Sequence, residues 1–262
     1  MTALADLELR RARWRRAREA CHLLDVEDPE FARGGPAGRL GRVSVRLLVL
    51  PDDSERSMTP VDEELLERTQ AVAKAWGKAQ GAENLWGFGT VATAGGACLY
   101  DYDNSSTGPW NQYLCMRGDG GLDVGLGAQV FREWDGVKCF FLSAAVGRLW
   151  SALAVHAEVS TKGVGPCEAT LALVDTEGSV LGGLAEGWAE PFAGFRHEAR
   201  RCPEPNVLLR MELGESPVPE DAQELAFTLG ALTENAWGYA IRRFVARTGP
   251  FEGKFDWRAA TR

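Results

Sequence analysis

The chain has 262 residues, enough for one generous core or two small ones, and its 45% hydrophobic and 25% charged content is that of an ordinary globular protein. A net charge of -8 argues against broad nucleic-acid binding, which needs a basic surface to displace counterions from phosphates. The six cysteines are scattered and none sits at CxxC spacing, which points to a reducing, cytoplasmic setting rather than a disulfide framework.

In chain order, Thr2 to Leu24 read as an N-terminal helix with Leu4, Leu7, Trp14, Cys21 and Leu24 on one side. The first 20 residues carry six arginines and no unbroken apolar stretch, unlike a signal peptide. Arg13, Arg15 and Arg16 are the side chains that would grip nucleic acid on this helix. Glu8, Glu19 and the acidic run Asp25, Glu27, Asp28, Glu30 offset them, so a solvated or partner-docking helix is expected. Gly34-Gly35-Pro36-Ala37-Gly38 forms a loop, making residues 1–40 a helix-and-loop preface. Val43, Val45, Leu47 and Val49 alternate with Arg42, Ser44 and Arg46, which predicts a strand with one buried face, ended by Pro51-Asp52-Asp53.

A helix is predicted from about Val61 to Gln80, with Val61, Leu65, Val72 and Trp76 as its stripe and Gly81 as its stop. Between Leu85 and Gly127 the texture shifts to glycine, aromatics and aspartate, as in short antiparallel strands joined by turns. There Trp86 and Phe88 share one strand face, and Tyr100 and Tyr102 share another, opposite Asp101 and Asp103. Val137 to Leu142 continues as a strand. Ser143 then caps a helix to about Val159 whose stripe is Val146, Leu149, Leu153 and Ala157. Lys138, Arg148 and His156 interrupt this apolar stretch, so it is not expected to cross a membrane. Cys167–Val174 and Ser179–Leu184 flank Asp175-Thr176-Glu177-Gly178, a hairpin signal, and Asn206 to Leu213 alternates as one more strand. A last helix is predicted over 219–247, striped by Leu225, Leu229, Leu232, Ala236, Ala240 and Phe244. Arg242, Arg243 and Arg247 suit its final turn, and Gly249-Pro250 stops it.

These elements make an α+β protein: a mostly antiparallel sheet packed by three amphipathic helices, plus the N-terminal helix. The reading is one domain over 1–262, the alternative being a break at Gly163-Val164-Gly165-Pro166.

The functional signals are weaker. HExxH, Walker A and GxSxG are absent, and no histidine stands at ligand spacing from another donor, so no cofactor is expected. Asp101-Tyr102-Asp103 resembles the alternate oxygens of a cation loop, but Ser106 and Gln112 stand where calcium loops need glycine and glutamate. Turn chemistry is the plainer reading of that string. Cys115 or Cys139 with His156 would make a nucleophile–base pair, against the plainer reading of packed thiols and a surface histidine. Trp86, Phe88, Tyr100, Tyr102, Trp110 and Tyr113 form the densest aromatic group, fit either to line a ligand pocket or to fill the core. The leading expectation is a cytoplasmic, non-catalytic binding or accessory protein that recognises a partner protein or small ligand through Leu85–Gly127. The competing expectations are an enzyme acting on a small or nucleotide-like substrate, with an Asp-bound cation or the Cys/His pair, and a nucleic-acid binder using the N-terminal arginines.

Overall fold

The computed structural model describes residues 35–51, 61–82, 85–87, 89–93, 95–102, 108–134, 136–160, 166–182, 200–213 and 221–239. The expected N-terminal helix, with Arg13, Arg15 and Arg16, lies outside the described residues, as do Phe88 and Asp103.

The fold is α+β. Its main sheet has seven strands: β1 (Val45–Pro51), β2 (Gly89–Thr93), β3 (Gly96–Tyr102), β4 (Trp110–Arg117), β5 (Leu122–Leu126), β8 (Cys167–Val174) and β10 (Asn206–Leu213). Their spatial order is β10-β8-β1-β5-β4-β3-β2, and every pairing is antiparallel. Strands from both sides of residues 163–166 thus share one sheet. A second sheet joins β6 (Phe131–Trp134), β7 (Val137–Phe141) and β9 (Val180–Gly182), with β7 and β9 parallel. One face of the main sheet carries Val45, Leu47, Leu114, Val124, Ala169 and Leu171 into a single apolar cluster with the helices.

Helix α1 (Glu63–Gln80) begins where Asp62 accepts the Leu65 N–H at 2.8 Å, which satisfies one of the donors a helix start leaves open. It ends as the glycine foretells. Gly81 is left-handed at φ 72°, its N–H donates to Lys78 O, and the Ala82 N–H reaches back to Gly77 O. Helix α2 (Leu142–Val159) packs against both α1 and α3 and is buried along nearly its whole length. That explains its weak amphipathicity: a helix with neighbours on several sides is apolar on several sides. Its first residue follows Phe141, and Ser143 lies inside the first turn with its Oγ unpartnered, so the expected serine cap is not formed.

Four further expectations are corrected. Both faces of β1 are buried, Arg46 included, because the strand is third from the β10 edge of seven and Arg46 is neutralised by Asp123. Trp86 sits in a turn ahead of β2 rather than in a strand; Gly87 (φ 74°) follows it so close to β3 that a Cβ would stand 2.7 Å from Tyr100 O. The 175–178 turn exists but makes no hairpin. Asp175 forms an ion pair with Lys138 of β7 at 2.8 Å, and β9 joins β7 instead of β8. Helix α3 (Asp221–Ala236) ends well before residue 247: Gly238 is left-handed at φ 77°, its N–H bonds Asn235 O, and the Tyr239 N–H bonds Glu234 O. Its buried side is Ala222, Ala226, Leu229, Gly230 and Thr233, so the expected leucine stripe is rotated, with Leu225 only half-buried.

Candidate functional site

Strands β3 and β4 supply most of the side chains singled out from the sequence, and their alternation divides these between the two faces of the sheet. Tyr100, Tyr102, Trp110 and Tyr113 lie on the face away from the helices, with Cys98 and Cys115. The Tyr100 and Trp110 rings stack at 4.3 Å and 10°, and Tyr102 meets Tyr100 edge-on at 5.1 Å. The two phenol oxygens are 3.3 Å apart, and that hydrogen bond pushes the Tyr100 phenol above its usual range, with burial adding to it. Arg39 lies over the Trp110 ring, 5.1 Å from its centroid. Tyr100 and Tyr113 each cover a glycine on the adjoining strand: a Cβ at Gly89 would stand 2.4 Å from the Tyr100 ring, and one at Gly125 2.2 Å from the Tyr113 ring. These rings are therefore packed mainly against each other and the backbone.

Tyr113 also belongs to a buried polar group. Its hydroxyl donates to Asp123 Oδ1 at 2.7 Å, while Arg46 donates through Nε at 3.1 Å and Nη2 at 2.8 Å to the two oxygens of the same carboxylate. Both members of the ion pair are 2% exposed. Burial first, and the Asp123 charge second, push the Tyr113 phenol well above its usual range. Such a fork-shaped contact between three strands ties β4, β5 and β1 together.

On the helix-facing side lies a different cluster. Asp101 and Gln112 are register partners on β3 and β4. Gln112 is buried; its Nε2 donates to Leu85 O, and its Oε1 accepts from Arg148 Nε of α2 at 2.7 Å and from Gln129 Nε2 at 3.5 Å. Arg148 also donates from Nη1 to Ala144 O at 3.2 Å. Burial lowers the Arg148 pKa from its ordinary value, and the nearby Asp101 charge opposes this. Asp101 itself accepts the Tyr102 N–H at 3.0 Å. Trp86, the one described member of the aromatic group on this side, donates Nε1–H to Ser151 Oγ of α2 at 2.9 Å.

The sequence-chosen residues thus separate: four aromatics gather on one face, Trp86 and Asp101 belong to the other, and Cys115 lies across the sheet from the helix that carries His156. The His156 Nε2–H donates to Gly120 O at 2.9 Å, and its Nδ1 has no partner. Burial lowers the His156 pKa, with the Gly120 hydrogen bond acting against it. Cys115 is raised well above the usual thiol range by the hydrogen bond with Cys98 and then by burial, and burial raises Cys139 too. Neither thiol is hydrogen-bonded to the imidazole: Cys139 Sγ contacts Val137 O at 3.7 Å. Among the described residues no group of three or more His, Cys, Asp or Glu is placed to hold a metal, and no helix is long and apolar enough to cross a membrane.

Arg148 and Gln129 escaped the sequence reading. The signal was present for Arg148: it is the one formal charge between Lys138 and Glu158, set in a helix apolar enough to be buried. A buried guanidinium must find partners, so its neighbourhood was the place to look for polar construction. Gln129, in the short 3-10 turn Ala128–Val130, gave no such signal. Comparison with models of protein families, with curated proteins and with solved structures finds nothing that matches this chain.

Proposed function

We propose that the protein is a cytoplasmic, non-catalytic binding protein that recognises a small ligand or partner protein through the Leu85–Gly127 region and the part of α2 that faces it. The observation that carries this reading is the Gln112–Arg148 contact. A half-buried guanidinium is held by a neutral amide where a structural ion pair would use a carboxylate, so its charge stays available to a visitor. Gln112, Gln129 and Asp101 surround it with further hydrogen-bonding groups, which suits orientation of a ligand better than bond-making.

The state of the other reactive side chains supports the same reading. Cys115 and Cys139 are pushed toward the protonated thiol, the poor nucleophile, and the His156 Nε2–H is engaged by a backbone carbonyl.

The test is a thermal-shift screen of the full chain against a panel of small metabolites, with NMR of each stabilising ligand before and after prolonged incubation. This reading expects ligands that raise the melting temperature and come through unaltered. A ligand recovered as product would overturn it.

A further inference from the structure

We propose that Arg148, steadied by Gln112, is the receptor for an oxyanion, carboxylate or phosphate, on a small ligand, and that Gln129 accepts a hydrogen bond from a donor group next to that anion. The inference rests on the binding reading above and names its ligand class.

A guanidinium carries five N–H donors. On Arg148 the Nε–H goes to Gln112 Oε1 and one Nη1–H to Ala144 O, leaving the rest of the fork without an acceptor among the described residues. No ion pair engages Arg148 there; the nearby carboxylate of Asp101 uses an oxygen on the Tyr102 N–H. The side chain is half-buried and its remaining donors are open to solvent, so an arriving anion has access to the fork. Its planar, two-pronged geometry matches a carboxylate or phosphate better than a halide or a neutral carbonyl.

Gln129 narrows the class. Its Nε2 is drawn to the same Gln112 oxygen, and its Oε1 is buried without a partner. An amide oxygen only accepts, so the group that satisfies it must donate. Arg148 and Gln129 both reach one oxygen of Gln112, which places their remaining groups in one neighbourhood. A hydroxy acid has this pattern, an anion with an O–H beside it. The burial that weakens the hold of Arg148 on its proton would be offset by the arriving negative charge.

The experiment is calorimetric titration of the full-length protein, at low ionic strength, with glycolate, acetate and inorganic phosphate. Glycolate is expected to bind more tightly than acetate. Arg148→Met should weaken all three by about tenfold or more, and Arg148→Lys, which keeps the charge but loses the fork, should weaken them less. Gln129→Leu should abolish the preference for glycolate over acetate while leaving acetate affinity in place. If phosphate binds more tightly than both carboxylates, the inference holds and the ligand is phosphorylated. Near-ultraviolet circular dichroism checks that each variant is folded, and Gln129→Leu keeps the proposal testable should Arg148→Met fail to fold. The proposal is overturned if none of the three binds at about 10 mM, or if Arg148→Met and Arg148→Lys bind them as the parent does. Those results leave an unaltered screening ligand untouched, whereas a converted ligand sinks the non-catalytic reading and leaves the Arg148 dependence readable.

Discussion

Removing Arg46 should destabilise the protein more than most core truncations. The side chain is 2% exposed, as is its partner Asp123, and two donors of the guanidinium meet both carboxylate oxygens at 3.1 and 2.8 Å. In Arg46→Met the aliphatic volume is kept, but Asp123 is left charged in the interior with Tyr113 as its remaining side-chain donor. Breaking one side of a buried pair costs about 3–5 kcal/mol, chiefly the desolvation of the abandoned charge. Against a total stability of about 5–15 kcal/mol that is a large share, equal to a drop of roughly 6–20 °C in melting temperature. Urea unfolding followed by circular dichroism would read it as a lower midpoint with the slope unchanged. The double variant Arg46→Met with Asp123→Leu should lose less than the two single losses added together, by about 2 kcal/mol or more, because no isolated charge remains. A loss under about 1 kcal/mol for Arg46→Met, or strict additivity in the cycle, would refute the claim that this pair is desolvated and mutually dependent.

Two further outcomes follow from the same geometry. The His156 pKa is lowered in the folded state, so below its unfolded value of about 6.5 the unfolded chain binds the proton more readily, and stability is lost as pH falls from about 7 toward the folded pKa. His156→Gln should flatten that slope in urea titrations between pH 5 and pH 7.5; an equal slope in the variant would assign it elsewhere. Gly89→Ala places a methyl 2.4 Å from the Tyr100 ring, which Trp110 backs at 4.3 Å, so the ring must swing. The expected cost is about 1–3 kcal/mol with a changed aromatic circular dichroism signal, and an unaltered spectrum would show the ring to be less tightly held.

Local chemistry was legible in the sequence and distant pairing was not. The alternation in Asn206–Leu213 and the placing of Tyr100 and Tyr102 opposite Asp101 need only a period of two, and both strands are as expected. The stop at Gly81 needs only glycine in a left-handed residue. Gly238 carries the same signal, but the apolar spacing continues past it in the sequence; the backbone conformation at one residue outweighs the stripe. Arg46 reads as a solvent-facing residue until Asp123, 77 positions away, neutralises it. The parallel partnership of β9 with β7 is likewise set by contacts far apart in the chain, which a turn signal at 175–178 cannot foretell. The candidate site shows the same division. The aromatics on the far face announce themselves by composition, but the convergence of Gln112, Gln129 and Arg148 joins three elements, and only an arginine set in an apolar helix points toward it.

The most direct measurement is a 15N–1H spectrum of the arginine Nε–H groups during titration with glycolate, with the Arg148 signal assigned by its disappearance in Arg148→Lys. The account predicts that this signal shifts and saturates while that of Arg46, across the sheet, stays in place. An Arg148 signal that remains fixed while other arginines move would contradict it.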